Sequence, residues 1–226
     1  MFFQFLIEDR STNILVDHVM QKLTKQHMEK EIVWNVKHFG GIGHLSKKGS
    51  VLERKTGKLL NDLPMFLRAF GKVLQSMEDS ALIIVLDNDQ RDVRKFRQEL
   101  ENTAISNIVL CDYVFCVAVK EMEAWLLGDP GVIREAYPDA KIQFLKRYEQ
   151  EGICDTWEVL ADIVYPHGYQ KLKKKAGGNY TEIGKAKCEW ADKIGKCLHL
   201  YENRSPSYQY FIRELENRLI PDCPQL

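Results

Sequence analysis

The chain has 226 residues, of which 45% are hydrophobic, so it is long enough to bury one large core. Its 32 basic residues equal its 32 acidic residues, which excludes polyanion binding through overall charge and leaves that role to a local patch. The six cysteines show no zinc-type spacing, and neither a signal peptide nor an apolar run of about 18 residues is present. We therefore expect a cytoplasmic protein with no membrane partner.

The first half of the sequence alternates apolar, strand-like runs with helical patterns. A glycine-rich, basic loop at residues 40–58 follows the second strand. Strands that alternate with helices favour parallel pairing and right-handed crossovers, which predicts a Rossmann-like α/β fold with a mainly parallel sheet of about four strands. The predicted strands are residues 2–7, 32–39, 81–86 and 107–119, and the predicted helices are residues 12–30, 59–77 and 90–103.

Strand signals fade after residue 119, and the rest of the chain shows helical spacing. Two segments are expected to interrupt the helices, YPHGYQKLKKKAGGNYTEIGKAK and ENRSPS. The predicted organisation is an α/β core at residues 1–128 and a helical C-terminal lobe at residues 129–226 that packs on the core. The predicted helices of this lobe region are residues 121–127, 133–148, 157–164 and 206–219.

Acidic residues stand at the ends of two predicted strands. Asp87 follows the apolar run ALIIVL directly, Asp89 comes two residues later, and Glu8 follows the first strand. An N-cap role for Asp89, with Asp92 as its capping partner, explains two acids but not Asp87, since a carboxylate at the end of a buried strand is costly unless it is paired or binds metal. If the first and third strands are neighbours, Glu8 and Asp87 lie together, and Mg²⁺ prefers such oxygen ligands.

One further acid is expected from the segment EMEAWLLGDP. Glu121 and Glu123 are two residues apart on a predicted helix, so only one of them can point inward. We assign Glu121 to the helix N-terminus and Glu123 to the site. The sequence thus predicts a catalytic site for Mg²⁺ or Mn²⁺ formed by Glu8, Asp87, Asp89 and Glu123.

The order of strand, Glu8, helix and then strand, Asp87, Asp89, helix resembles the TOPRIM domain of topoisomerases, bacterial primases and OLD-type nucleases. With EMEAWLLGDP and RSPSYQYF, the chain more closely resembles a TOPRIM-like family of unknown function whose genes often lie beside ATPases in bacterial defence islands. The resemblance implies that Glu8 is a general acid/base and that Asp87 and Asp89 hold Mg²⁺. Asp9 stands where the family has a glycine. The acid that the family carries shortly afterwards falls here among Ser11, Thr12 and Asn13.

Two other patterns bear on function. The GGIGH motif at residues 40–44 is neither a Walker loop nor G-x-G-x-x-G, so a substrate-facing loop is favoured over nucleotide binding, with His38 and His44 outside the core site. A lysine cluster suits nucleic-acid phosphates, the alternative being a solvated face. Its members are Lys171, Lys173, Lys174, Lys175, Lys185 and Lys187.

Three functions are consistent with these patterns. The first is a Mg²⁺-dependent phosphodiesterase or nuclease that acts on DNA or RNA, as an effector of anti-phage defence with an ATPase partner. The second is a catalytically degenerate TOPRIM-like module that binds nucleic acid or the ATPase. The third is a D-x-D nucleotide-sugar transferase, which would not need an acid at Glu8.

Overall fold

The computed structural model describes residues 1–43 and 57–220, and these residues form a four-stranded sheet. The strand order is β2-β1-β3-β4 and every pairing is parallel, which confirms the predicted Rossmann-like α/β fold. Part of the predicted loop, residues 44–56 with His44, lies outside the described residues. The strands are β1 (Phe2–Ile7), β2 (Val33–His38), β3 (Ser80–Asp87) and β4 (Asp112–Ala118).

Helices cover both faces of the sheet. One apolar core joins β1 to α1 and to the C-terminal helices, and a second core joins the opposite face to α2 and α3. No helix within residues 1–43 and 57–220 is both long and apolar enough to span a membrane. The helices are α1 (Arg10–Gln26), α2 (Leu59–Leu74), α3 (Val93–Ser106), α4 (Glu123–Leu127), α5 (Pro130–Ala136), α6 (Thr156–Val164), α7 (Gly168–Ala176), α8 (Tyr180–Cys197) and α9 (Pro206–Leu219), with a 3-10 helix at Ile142–Arg147.

The central strands are buried on both faces, as their continuous apolar sequences require. In β3, every residue from Ala81 to Leu86 is at most 1% exposed. In contrast, β2 lies at an edge of the sheet, and its residues are exposed or half-buried. An uninterrupted apolar run is therefore the signature of a central parallel strand in this chain.

The C-terminal region differs from the prediction at two places. The segment at residues 165–187, expected to interrupt the helices, contains α7 and the start of α8, because Leu172 and Ile183 give these helices buried faces. Positive φ is confined to two short turns, at His167 and Gly168 before α7 and at Gly177 and Gly178 after it. The predicted helix at residues 133–148 is divided: α5 ends at Ala136, just before Pro138, and a 3-10 helix follows.

The order of the strands creates a crevice between β1 and β3. The chain leaves β1 through α1 towards β2 and leaves β3 through α3 towards β4, so the two connections diverge. Ligands of open parallel sheets bind at such switch points, beyond the carboxyl ends of the strands. Glu8 and Asp87 stand at these two ends.

The ENRSPS segment binds α4 to the C-terminal region through hydrogen bonds. The Asn203 Nδ2 donates to the Trp125 carbonyl oxygen at 2.7 Å, and the Trp125 Nε1 donates to the Ser207 Oγ at 2.8 Å. Ser205 and Ser207 both donate to the Glu151 carboxylate. The E-x-W and S-P-S segments of this chain thus meet in a buried hydrogen-bond network that holds the helix carrying Glu123.

Gly128 lies against this network with no room for a side chain, since a Cβ atom there would stand 1.9 Å from the Asn203 Oδ1. We predict that Gly128→Ala lowers the free energy of unfolding by about 1–3 kcal/mol through overpacking. Gly184→Ala is the matched control, because a Cβ in that exposed helix position meets no atom within 4 Å. The control is expected to raise stability by up to about 1 kcal/mol.

Urea unfolding of both variants measures the difference. Asn203→Ala removes the atoms that the new methyl group would meet, so in the double variant with Gly128→Ala the two losses should be less than additive. Equal stability of Gly128→Ala and the parent protein would contradict the fixed position of Asn203.

Candidate active site at the carboxyl edge of the sheet

Glu8 and Asp87 meet in the crevice between β1 and β3. The pairing of Ile7 with Val85 sets the register, and the Glu8 backbone N–H continues it by donating to the Val85 carbonyl oxygen at 3.2 Å. The Asp87 backbone N–H then donates to the Glu8 Oε2 at 3.0 Å. The two residues are therefore neighbours, and the side-chain orientation of Glu8 is set by the backbone of Asp87.

Both carboxyl groups have strongly perturbed proton affinities. Burial is the largest cause that raises the pKa of Glu8 to about 8, opposed by the Asp87 N–H and assisted by the charges of Asp9 and Asp89. Burial also raises the pKa of Asp87 well above its usual range, and the charges of Glu8 and Glu123 add to this effect. Perturbed carboxyl groups in a crevice are typical of a functional site.

Glu123 approaches from α4 and is paired with a lysine. Its side chain is 1% exposed, and the Lys187 Nζ lies 3.1 Å from its Oε2. The other oxygen, Oε1, is buried and has no hydrogen-bond partner among the described residues. Burial raises the pKa of Glu123, while Lys187 lowers it. The predicted inward orientation of Glu123 over Glu121 agrees with this geometry.

Lys187 is the positive partner of these carboxylates. Its place in a lysine-rich segment of the sequence does not indicate this role. Burial lowers the pKa of Lys187, but the charges of Glu123, Glu121, Asp87 and Asp9 raise it by more, so the net pKa is above its ordinary value. The helical period of α8 does indicate that Lys187 faces the interior. Ile183 is buried one turn earlier, which places Lys187 on the inner side of the helix.

Asp89 lies at the rim rather than between the other acids. Its backbone φ of 49° ends the alternation of the strand, so it does not point to the same side as Asp87 by strand geometry. Its side chain is 45% exposed and accepts a hydrogen bond from the Arg91 Nη1 at 3.0 Å. Asp92, not Asp89, is the N-cap of α3 and accepts from the Lys95 N–H, so the proposed cap at Asp89 is wrong.

Two nearby acids have structural partners. Asp9 is the N-cap of α1 and accepts from the Thr12 N–H at 2.8 Å. Glu121 accepts from the Thr156 Oγ1 at 2.8 Å, at the first turn of α6, and does not belong to the first turn of its own helix, which begins at Glu123. The assignment of Glu121 to the N-terminus of α4 is therefore corrected to a contact with α6.

The donor set in the crevice consists of the Glu8 and Asp87 carboxylates, and the described residues do not gather a third ligand atom beside them. Within the described ranges, only Asp129, His199 and Glu202 bring three ligand atoms within 4.8 Å of one another, and Glu202 is 76% exposed. Mg²⁺ commonly uses one or two protein carboxylates and completes its shell with water and phosphate. The unpartnered Oε1 of Glu123 and the raised pKa values of Glu8 and Asp87 are features that a bound cation would relieve.

A cleft of about 710 Å³ adjoins the same edge of the sheet. Its lining includes Lys37, His38 and Phe39 at the end of β2 and Phe66 of α2. The segment after β2, which contributes Gly40 to the cleft, also contacts the site, since the Gly41 N–H donates to the Glu8 carbonyl oxygen at 3.0 Å. His38 pairs with Ile7, the residue before Glu8, and lines this cleft.

The lysine cluster divides into paired and exposed members. Lys173 donates to the Tyr169 hydroxyl at 2.5 Å, and Lys175 and Lys185 form ion pairs with Glu182. Lys171 and Lys174 are exposed and have no hydrogen-bond or ion-pair partner in the part of the chain that the structure describes. With Lys187 assigned to the carboxylates, the exposed basic surface is smaller than the sequence suggests.

Comparison of the chain with protein-family models, with curated proteins and with solved structures finds no match. The protein is an α/β protein with a Rossmann-like parallel sheet and a buried acidic site at its topological switch point. The functional assignment therefore depends on the geometry of that site.

The perturbed pKa of Glu8 predicts a pH-dependent stability. A carboxyl group whose folded-state pKa is about 8, against 4.5 when unperturbed, binds a proton in the folded state over a range in which the unfolded chain has lost it. In EDTA, the free energy of unfolding should therefore fall as the pH rises from about 4.5 to about 8. Glu8→Gln should reduce this slope, because the amide does not titrate.

Urea unfolding at several pH values, with EDTA or with Mg²⁺, measures these slopes. Mg²⁺ should stabilise the parent protein more at pH 8 than at pH 5, since metal and protons compete for the carboxylates. Identical slopes for the parent and Glu8→Gln in EDTA would show that Glu8 titrates normally.

Proposed function

We propose that this protein is a metal-dependent phosphodiesterase of the TOPRIM type that cleaves DNA or RNA. The observation that carries the proposal is the direct contact of Glu8 with the backbone of Asp87 at the switch point of the sheet, beside the buried pair of Glu123 and Lys187. Three carboxyl groups and one lysine thus lie at the edge where parallel sheets bind ligands.

Each residue has a specific part in this proposal. Mg²⁺ or Mn²⁺, held by Asp87 and Glu8, would supply the positive charge that stabilises phosphoryl transfer. Without metal, burial raises the pKa of Glu8 to about 8, and a bound cation would lower it, so Glu8 would act in its ionised form as the general base. The Asp87 N–H holds the Glu8 Oε2 in place, and Glu123 extends the negative surface of the site.

The substrate class is proposed from the surroundings of the site. Arg91 provides positive charge at the rim beside Asp89, and Lys171 and Lys174 form an exposed basic surface on α7. Such residues can contact the phosphates of a nucleic acid without reading its sequence. A role as an effector in anti-phage defence with an ATPase partner belongs to the same proposal and is supported by the resemblance of the motifs alone.

A non-catalytic module is the second candidate, and one observation favours it. Asp89, which the resemblance makes a metal ligand, instead bonds to Arg91 at the rim. The nucleotide-sugar transferase is less favoured, because its D-x-D would present Asp87 and Asp89 together, whereas here Glu8 is the residue joined to Asp87.

Cleavage assays on single-stranded DNA, double-stranded DNA and RNA with Mg²⁺ or Mn²⁺ test the proposal. Asp87→Asn should abolish metal binding and cleavage together, because it removes a charged ligand from the site. Glu8→Gln keeps the shape of the side chain and its acceptor oxygen, so it should bind substrate while its rate falls on the order of 10²–10⁴-fold.

The matched control is Asp92→Asn. Asp92 lies on the same loop as Asp87 but caps α3, and asparagine caps helices equally well, so cleavage should be unchanged. Cleavage without metal, or full activity of both site variants, would refute the mechanism. If no protein cleaves any substrate, with or without an ATPase encoded by a neighbouring gene, the non-catalytic module is favoured.

The basic surface of α7 gives a separate prediction. Lys171→Ala with Lys174→Ala should weaken nucleic-acid binding and lower the slope of log affinity against log salt by roughly 0.7–0.9 for each phosphate that is no longer neutralised. Lys185→Ala is the control, since Lys185 is paired with Glu182 on α8. Fluorescence anisotropy over a range of salt concentrations measures the slope. An unchanged slope in the double variant would assign these lysines to a solvated surface.

A further inference from the structure

Lys187 stands among more negative charge than one ammonium group can neutralise. Its Nζ contacts the Glu123 Oε2 at 3.1 Å, and its charge also lowers the pKa of Glu8 and of Asp87. The contact fixes the ammonium group on Glu123, and its charge acts on Glu8 and Asp87 as well. Only 20% of the lysine side chain is exposed, so solvent screens these interactions weakly.

The position of Lys187 is fixed by the packing of α8. Ile183, Ala186 and Trp190 are buried on the same helix, and α8 lies against α1, the helix that follows Glu8. The packing of α8 therefore fixes the position of the ammonium group. It cannot leave the site without breaking its ion pair with Glu123, whose side chain is 1% exposed. Separating such a buried pair is strongly unfavourable, because it leaves an uncompensated buried charge.

The charges in the site determine how many cations it can hold. When Glu8, Asp87 and Glu123 are ionised they carry three negative charges, and Lys187 compensates one of them. One divalent cation compensates the other two, which brings this buried group to neutrality. Asp9 and Asp89 also act on the site, but Asp9 is compensated as the N-cap of α1 and Asp89 by its pair with Arg91. A second divalent cation would make the group positive by two charges and would have to approach the ammonium group.

We infer that the Lys187 ammonium group acts as a permanent second cation of the site, so that the protein binds one divalent metal ion, at Glu8 and Asp87, and not two. The free oxygen of Glu123, Oε1, is buried and has no partner among the described residues, and it is the ligand atom that a second metal ion would use once the charge of Lys187 is removed. This inference rests on the proposed function, because it presumes that the site binds a metal.

The test is the stoichiometry of Mn²⁺ binding to the full chain at pH 8.5, measured by isothermal titration calorimetry and by electron paramagnetic resonance. The parent protein should bind one Mn²⁺. Lys187→Met removes the charge and keeps the length of the side chain, so it should bind two, whereas Lys187→Arg retains the charge and should bind one. Lys185→Met, on the exposed side of the same helix and paired with Glu182, is the control and should also bind one.

Lys187→Gln covers the case in which the methionine variant does not fold, because its amide can still donate to Glu123 while the charge is removed. It should also bind two Mn²⁺, and its melting temperature should rise more on addition of Mn²⁺ than that of the parent. Two ions bound by the parent, or one ion bound by both neutral variants, would overturn the inference and leave the metal site intact. No Mn²⁺ bound by the parent would overturn the proposed function and the inference with it.

Discussion

The burial of several carboxylates at one edge of the sheet is the constraint on which the rest of the site depends. The parallel strands β1 and β3 must end side by side, and the chain places Glu8 and Asp87 at those ends. Burial makes ionisation costly for both groups, so the protein needs protons, a metal ion or an internal cation to compensate them. Lys187 supplies part of this compensation.

The C-terminal helices are therefore part of the site and not only a cover for the sheet. Glu123 comes from α4 and Lys187 from α8. These helices are held by the packing of α8 on α1, by the hydrogen bond that Asn203 donates to Trp125 and by the one that Trp125 donates to Ser207. Strand-end acids on an open sheet are accessible to water on several sides. Here the added helices remove that water, which strengthens each electrostatic interaction and makes the pairing of Glu123 with Lys187 necessary.

The central part of the fold could be predicted from the sequence because its signals are local. The uninterrupted apolar run before Asp87 indicates a central parallel strand, and the alternation of strands and helices determines which strand ends share an edge. The proximity of Glu8 and Asp87 follows from these two signals. In contrast, the pair Gly177 and Gly178 in a lysine-rich segment predicts a long interruption of the helices at residues 165–187. In the structure these two glycines form only the turn between α7 and α8.

The position of Lys187 was not predictable by the same reasoning. Its assignment to a basic surface came from neighbouring lysines in the sequence, whereas its contact with Glu123 spans 64 positions and depends on how α8 docks. The position of Asp89 at the rim has a different cause. The D-x-D spacing implies two side chains on one side only while the strand continues, and the positive φ of Asp89 ends that relation immediately after Asp87.

Asp9 shows how one residue beside the site links the capping of a helix to the chemistry of the site. A glycine at this position would leave the N-terminus of α1 without a side-chain cap, whereas Asp9 accepts from the Thr12 N–H and from the Ser11 hydroxyl. The same carboxylate adds negative charge close to Glu8 and Asp87 and raises the pKa of both. The cap thus stabilises the helix and makes ionisation of the site more costly, so this chain depends more strongly on a compensating cation than a chain with glycine would.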